Sequence, residues 1–138
     1  MKILEIIDKQ VEWYYNHSHK VWVDELIMFQ DKLSVNSYYL AQQYAEAYQE
    51  YLTKVFNTKT KKIKWFLTKK AEKIEDKTLT DKLAQSYSED ESLSEWAEEL
   101  FGEWEKEKLR VLLAQVNQIL NATQQRISYL KFERNNSK

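Results

Sequence analysis

His17 and His19 are the only imidazoles in a chain of 138 residues that has no cysteine. A protein metal site needs three or four converging ligands. Residues two apart on a helix do not face each other, so this pair can share an ion only from an extended turn, and no third ligand stands beside it. Helical di-iron sites need Glu-x-x-His pairs on facing helices; no histidine follows His19, which excludes them. Without cysteine, thiol catalysis, disulfides and cysteine–zinc sites are excluded as well. The glutamates at 95, 98, 99, 103, 105 and 107 are dense but spread around a helix, whereas acid–base catalysis needs acids converging on one reacting group. No nucleophile with a base and an orienting group stands out. The expectation is a protein that binds and does not catalyse, with no cofactor and no metal.

Charge is the next signal. The net charge is −1, which exerts no global pull toward nucleic acid or an anionic membrane. Its distribution is uneven. Residues 54 to 82 hold ten lysines and four acids, a net of +6; residues 83 to 107 hold nine acids and one lysine, a net of −8. Lys59, Lys61, Lys62, Lys64, Lys69, Lys70 and Lys73, with Trp65 as a stacking residue, form a candidate surface for nucleic-acid phosphates or an acidic partner. Lysine without arginine reads sequence poorly, so DNA contact there would be sequence-tolerant and salt-sensitive. The same pattern fits basic and acidic segments that face each other.

Aromatics make up 14% of the chain. Trp13, Tyr14 and Tyr15 are adjacent, as are Tyr38 and Tyr39, so they cannot all enter one core. Aromatic residues are enriched at protein interfaces. Trp13, Tyr15, Tyr38 and Trp96, with the acids Glu98 and Glu99, are therefore the candidate protein-binding residues.

The elements that must position these groups follow from composition and period. One glycine and no proline leave little turn chemistry for a β fold, and glycine-rich phosphate loops cannot be written. The fold class is all-α: a long antiparallel helical hairpin or coiled-coil-like bundle with shorter helices, in one domain over residues 1–138. A short helix is expected at 3–15. A long one at 21–56 rests on Trp22, Leu26, Phe29, Leu33, Asn36, Leu40, Gln43 and Ala47, in four–three alternation. Basic short helices and a loop are expected over 58–90, with Thr58 and Thr60 as N-caps, a capping box at Thr78 and Asp81, and a loop at 86–92. A second box, Ser92 with Glu95, opens a closing helix at 92–133. There the stripe Leu93, Ala97, Leu100 and Trp104 gives way, after a phase slip at 102–108, to Leu109, Leu113, Val116, Leu120, Thr123, Ile127 and Leu130. Asn36, Gln43 and Thr123 interrupt apolar seams, where a polar residue fixes register or oligomer state. No apolar run approaches a membrane span of about 18 residues, and the first residues lack the apolar stretch of a signal peptide; a cytoplasmic location is expected, with no membrane partner.

Ala41-Gln-Gln-Tyr-Ala-Glu-Ala-Tyr-Gln-Glu-Tyr51, the lysine-rich stretch after it, and a closing helix ending in Gln124-Gln-Arg-Ile-Ser-Tyr-Leu-Lys131 resemble the small all-helical accessory proteins of bacteriophage early recombination and replication modules. The resemblance covers roughly residues 26–133. It implies a phage-type accessory factor of DNA recombination or replication, contacting DNA or a DNA-metabolism protein. The alternatives are a protein-binding inhibitor of a host nuclease or defence factor, and a structural helical module that forms homo-oligomers.

Overall fold

The computed structural model describes residues 2–71 and 80–136, with the backbone also at 73–74 and 77–78. The fold is all-α. In chain order it has α1 (Lys2–His17), α2 (Val23–Ala71), a minimal antiparallel pair β1 (Lys73–Ile74) and β2 (Lys77–Thr78), α3 (Asp81–Glu91) and α4 (Leu93–Asn136). No described helix is long and apolar enough to cross a membrane.

Packing divides the chain into two compact units. The first is Met1–Ala45 with Lys108–Lys138, and the second is Glu46–Glu107. Both long helices contribute to each unit, and within each unit they run antiparallel to one another.

The first unit holds the large apolar core. Ile7, Val23, Leu26, Phe29, Leu33, Leu40, Leu109, Val116, Ile119 and Ile127 are buried. Val23, Leu26 and Ile127 cluster with Val21, Ile27 and Leu130, and Gln30 donates to Gln124 across the same pair of helices at 2.8 Å. α1 packs through Trp13 and Tyr14, both stacked on Phe29 at centroid distances of 4.8 and 6.0 Å. Asn36 on α2 donates to Gln10 on α1 at 2.9 Å. Thr123 is buried and satisfied by its own helix, donating to the Ile119 carbonyl at 2.7 Å. Gln43 Oε1 is buried with no hydrogen-bond partner.

Element boundaries depart from the expected ones. The long helix does not end at 56; it continues to Ala71. Thr58 is no N-cap: it is buried inside the helix, and its hydroxyl donates to the Lys54 carbonyl, the back-bonding that lets threonine sit in a helix interior. Thr60 is also internal to α2. The stretch expected to loop at 86–92 is helical to Glu91, since nothing in it lacks an amide or demands a left-handed backbone. The Ser92–Glu95 box does not form. Ser92 Oγ donates back to the Glu89 carbonyl, and Glu95 turns to Lys61. The Thr78 side chain lies outside the described residues; the observed cap of α3 is Thr80, whose hydroxyl accepts from the Leu83 amide at 3.3 Å. α1 extends two residues past 15, and α4 three past 133.

Candidate functional site

The second unit is built from α2 residues 46–71, α3, and α4 residues 93–107. Its long helices meet through small and polar groups. Gly102 is buried, and a Cβ placed on it would lie 3.2 Å from the Lys54 side chain and 3.8 Å from Tyr51 Cα, so glycine lets α4 approach the α2 backbone closely. The Lys106 ammonium sits over the rings of Tyr51 and Tyr48, at 4.5 and 5.2 Å, and Lys54 sits over Phe101 at 5.9 Å. Lys61 and Glu95 form an ion pair at 2.6 Å. The Lys61 hydrogen bond is the main cause holding the Glu95 carboxyl below its ordinary value of 4.5, with the Ser94 hydroxyl adding to it. Thr58, Ala84, Ser88 and Ser92 complete the buried set.

Most large apolar side chains are on the outside, with Tyr51, Val55, Trp65 and Phe66 half-buried. Among the described residues of this unit none is buried. Leu52, Phe56, Ile63 and Leu67 on α2, Leu83 and Tyr87 on α3, and Leu93, Trp96, Leu100 and Trp104 on α4 are all exposed, Phe56 at 67% and Trp104 at 59%. Leu52, Phe56, Ile63 and Leu67 lie on one helix stripe that also carries Lys59. Leu93, Trp96, Leu100 and Trp104 form another. The phase slip at 102–108 now has a structural meaning. Trp104 and Leu109 are five residues apart, about 140° round the helix. The earlier stripe faces solvent, and Leu109 and Val116 face the core of the first unit.

The candidate basic residues do not form one surface. Lys59 and Lys64 are exposed and Lys62 is half-buried. Lys61 is paired with Glu95, Lys70 with Asp81 at 2.8 Å, and Lys69 lies over the Tyr87 ring at 5.2 Å. The Lys73 side chain lies outside the described residues. One open cleft of about 500 Å³ gathers Lys54, Lys61, Lys64 and the half-buried Trp65, but Glu95 and Glu98 line it too. A phosphate there would meet carboxylates beside the ammonium groups.

The candidate protein-binding aromatics separate into two kinds. Trp13 is not a free surface residue; it is half-buried on Phe29 and stacks on His17. Tyr15, Tyr38 and Trp96 are exposed, Glu98 is exposed, and Glu99 is half-buried. Trp96 alone of these aromatics belongs to the second unit's apolar surface. The other members of that surface are not among the residues singled out from the sequence; the change of phase between 93–104 and 109–130 is the signal that sets them apart. Among the described residues no three His, Asp or Glu side chains gather as a metal site requires. Comparison with family models, curated proteins and solved structures finds no match to this chain.

Proposed function

We propose that this chain is a non-catalytic, cytoplasmic docking protein: a phage-type accessory factor that binds a protein, of DNA metabolism or of host defence, through the exposed apolar faces of its second unit. The observation that carries this reading is the burial pattern of residues 46–107, where the fully buried described residues are small or polar and most large apolar ones are exposed, with Tyr51, Val55, Trp65 and Phe66 half-buried. An apolar surface of this extent marks an interaction site, and tryptophan and tyrosine supply the anchors of such sites. Protein is favoured over nucleic acid as the partner because the cleft holding Lys61, Lys64 and Trp65 also holds Glu95 and Glu98.

A photo-crosslinking residue placed at position 100 in the cell that makes the chain tests this. The expected result is a protein adduct from position 100 and none from position 53, on the polar side of α2. No adduct from position 100 overturns it. Fluorescence anisotropy with short single- and double-stranded DNA at two salt concentrations tests the other partner class. Tight, salt-sensitive binding that disappears in a Lys61→Glu, Lys62→Glu, Lys64→Glu variant would replace this reading with DNA binding.

A further inference from the structure

We propose that the groove between α1 and α2 in the first unit binds a small amphipathic monocarboxylate of the fatty-acid type. Its apolar body would lie on Trp13, Met28 and Phe29, and its carboxylate would be held by Lys9 and Lys32. This site is separate from the docking faces of the second unit and does not depend on them.

The two helices bring the same pattern to the groove. α1 lines it with Ile6, Lys9, Gln10 and Trp13. α2 lines it with Glu25, Met28, Phe29 and Lys32. Each set has the i, i+3, i+4, i+7 spacing of a single helix face. The space between them is about 440 Å³, within the range of about 300–1,000 Å³ typical of small-molecule sites. The core does not fill it, because Leu26, Leu33 and Leu40 are buried on another face of α2.

Its walls are fixed by contacts within the chain. Trp13 stacks on Phe29 at 4.8 Å and on His17 at 5.6 Å. Gln10 is tied to Asn36 at 2.9 Å. Above this floor Ile6 is exposed and Met28 is 58% exposed, so an apolar occupant would cover surface that water now covers. The unbranched thioether of methionine adapts readily to a ligand's shape.

Charge selects the occupant and its direction. The Gln10–Asn36 bond and the Trp13–Phe29 stack set an antiparallel register. That register puts Lys9 and Lys32 on opposite walls, within about one helical turn of each other. Both are exposed, and neither makes an ion pair among the described residues. Two ammonium groups on facing walls suit one carboxylate, through charge-assisted hydrogen bonds from both sides. Glu25 lies seven residues before Lys32, about 10 Å along α2, and repels an anion from that end. The head group therefore belongs at the lysines, with the apolar body running toward Met28 and Phe29.

The test is a titration of the full chain, labelled with nitrogen-15, with decanoate below its micelle-forming concentration. Amide shifts are expected at residues 6–13 and 25–32, together with a shift of the Trp13 indole, which a Trp13→Phe variant assigns. Decylamine, with the same tail and the opposite charge, should bind at least tenfold more weakly. The Lys9→Gln/Lys32→Gln variant should lose at least tenfold in decanoate affinity, and Met28→Asp should abolish the shifts by placing a carboxylate under the tail. These substitutions are at exposed positions, and circular dichroism checks that the helices persist; if one variant unfolds, the other carries the test. Absence of shifts at residues 6–13 and 25–32 overturns the proposal. So do shifts confined to residues 52–67 and 93–104, which would mean adsorption on the second unit. Equal affinity for decylamine, or full affinity in the double lysine variant, removes the assigned head-group site. A protein adduct captured in the cell from a photo-crosslinking residue at position 28 would give the groove to a protein instead.

Discussion

Asn36, Gln43 and Thr123 are three polar residues at apolar seam positions, and they have three different fates. Thr123 satisfies its hydroxyl on its own helix. Asn36 reaches Gln10 and so ties α1 to α2, which fits a register device inside the chain. Gln43 leaves its carbonyl oxygen buried and unmet. A buried, unsatisfied acceptor costs about 1–3 kcal/mol, whereas a made hydrogen bond is worth about 1 kcal/mol net. Gln43→Leu should therefore raise the urea midpoint, by the equivalent of about 1 kcal/mol. Asn36→Leu should lower stability by a similar amount and speed hydrogen exchange in α1, because it strands Gln10. The experiment is a pair of denaturation curves. A fall in stability for Gln43→Leu would mean that its amide group contributes more than its unmet oxygen costs.

At the scale of elements, the helices were legible because the seam of Leu26, Phe29, Leu33 and Leu40 keeps one period, and these four residues are all buried. What was illegible was where helices stop. The run Asn57-Thr-Lys-Thr60 and the serines at 86–92 have cap and loop chemistry locally, yet three of their hydroxyls bond carbonyls of their own helix turns, Thr58 to Lys54, Ser88 to Gln85 and Ser92 to Glu89. Side-chain type does not decide between those two uses. The partner of Glu95 was equally hidden, since Lys61 is 34 residues away. The site was less legible than the fold: sequence spacing gave the aromatic stripe of α4 but not the side it faces. Two predictions belong here. Gly102→Ala should be neutral or stabilising by up to about 1 kcal/mol, because alanine is the better helix former and the nearest atom is a flexible lysine methylene at 3.2 Å. Gly102→Leu should destabilise by pushing α4 off Tyr51, and equal midpoints for the two variants would contradict the close approach. The Lys61–Glu95 pair has a pH signature. The folded-state carboxyl sits below 4.5, so its contribution is full above 4.5 and is lost as pH falls through the lowered value. Lys61→Met should be less stable than the parent at pH 7, and the difference should vanish in acid; a pH-independent difference would assign the loss to packing.

For the molecule as a whole, the unequal burial of the two units makes a prediction about where it opens. Free energies of local opening follow buried apolar contacts. Leu26, Leu33, Leu40 and Val116 are fully buried in the first unit, and the second unit buries only Ala84 among its described apolar residues. In dilute solution, amides of residues 46–67 and 93–107 should exchange well before those of residues 26–40 and 116–127. Hydrogen exchange with peptide-level mass spectrometry reads both units in one sample. Uniform protection across the two units at low concentration would mean that the polar, close-packed seam around Gly102 holds the second unit as firmly as the apolar core holds the first. Large outward-facing residues such as Phe56 and Trp104 would then be surplus to folding, and their role would lie in recognition alone.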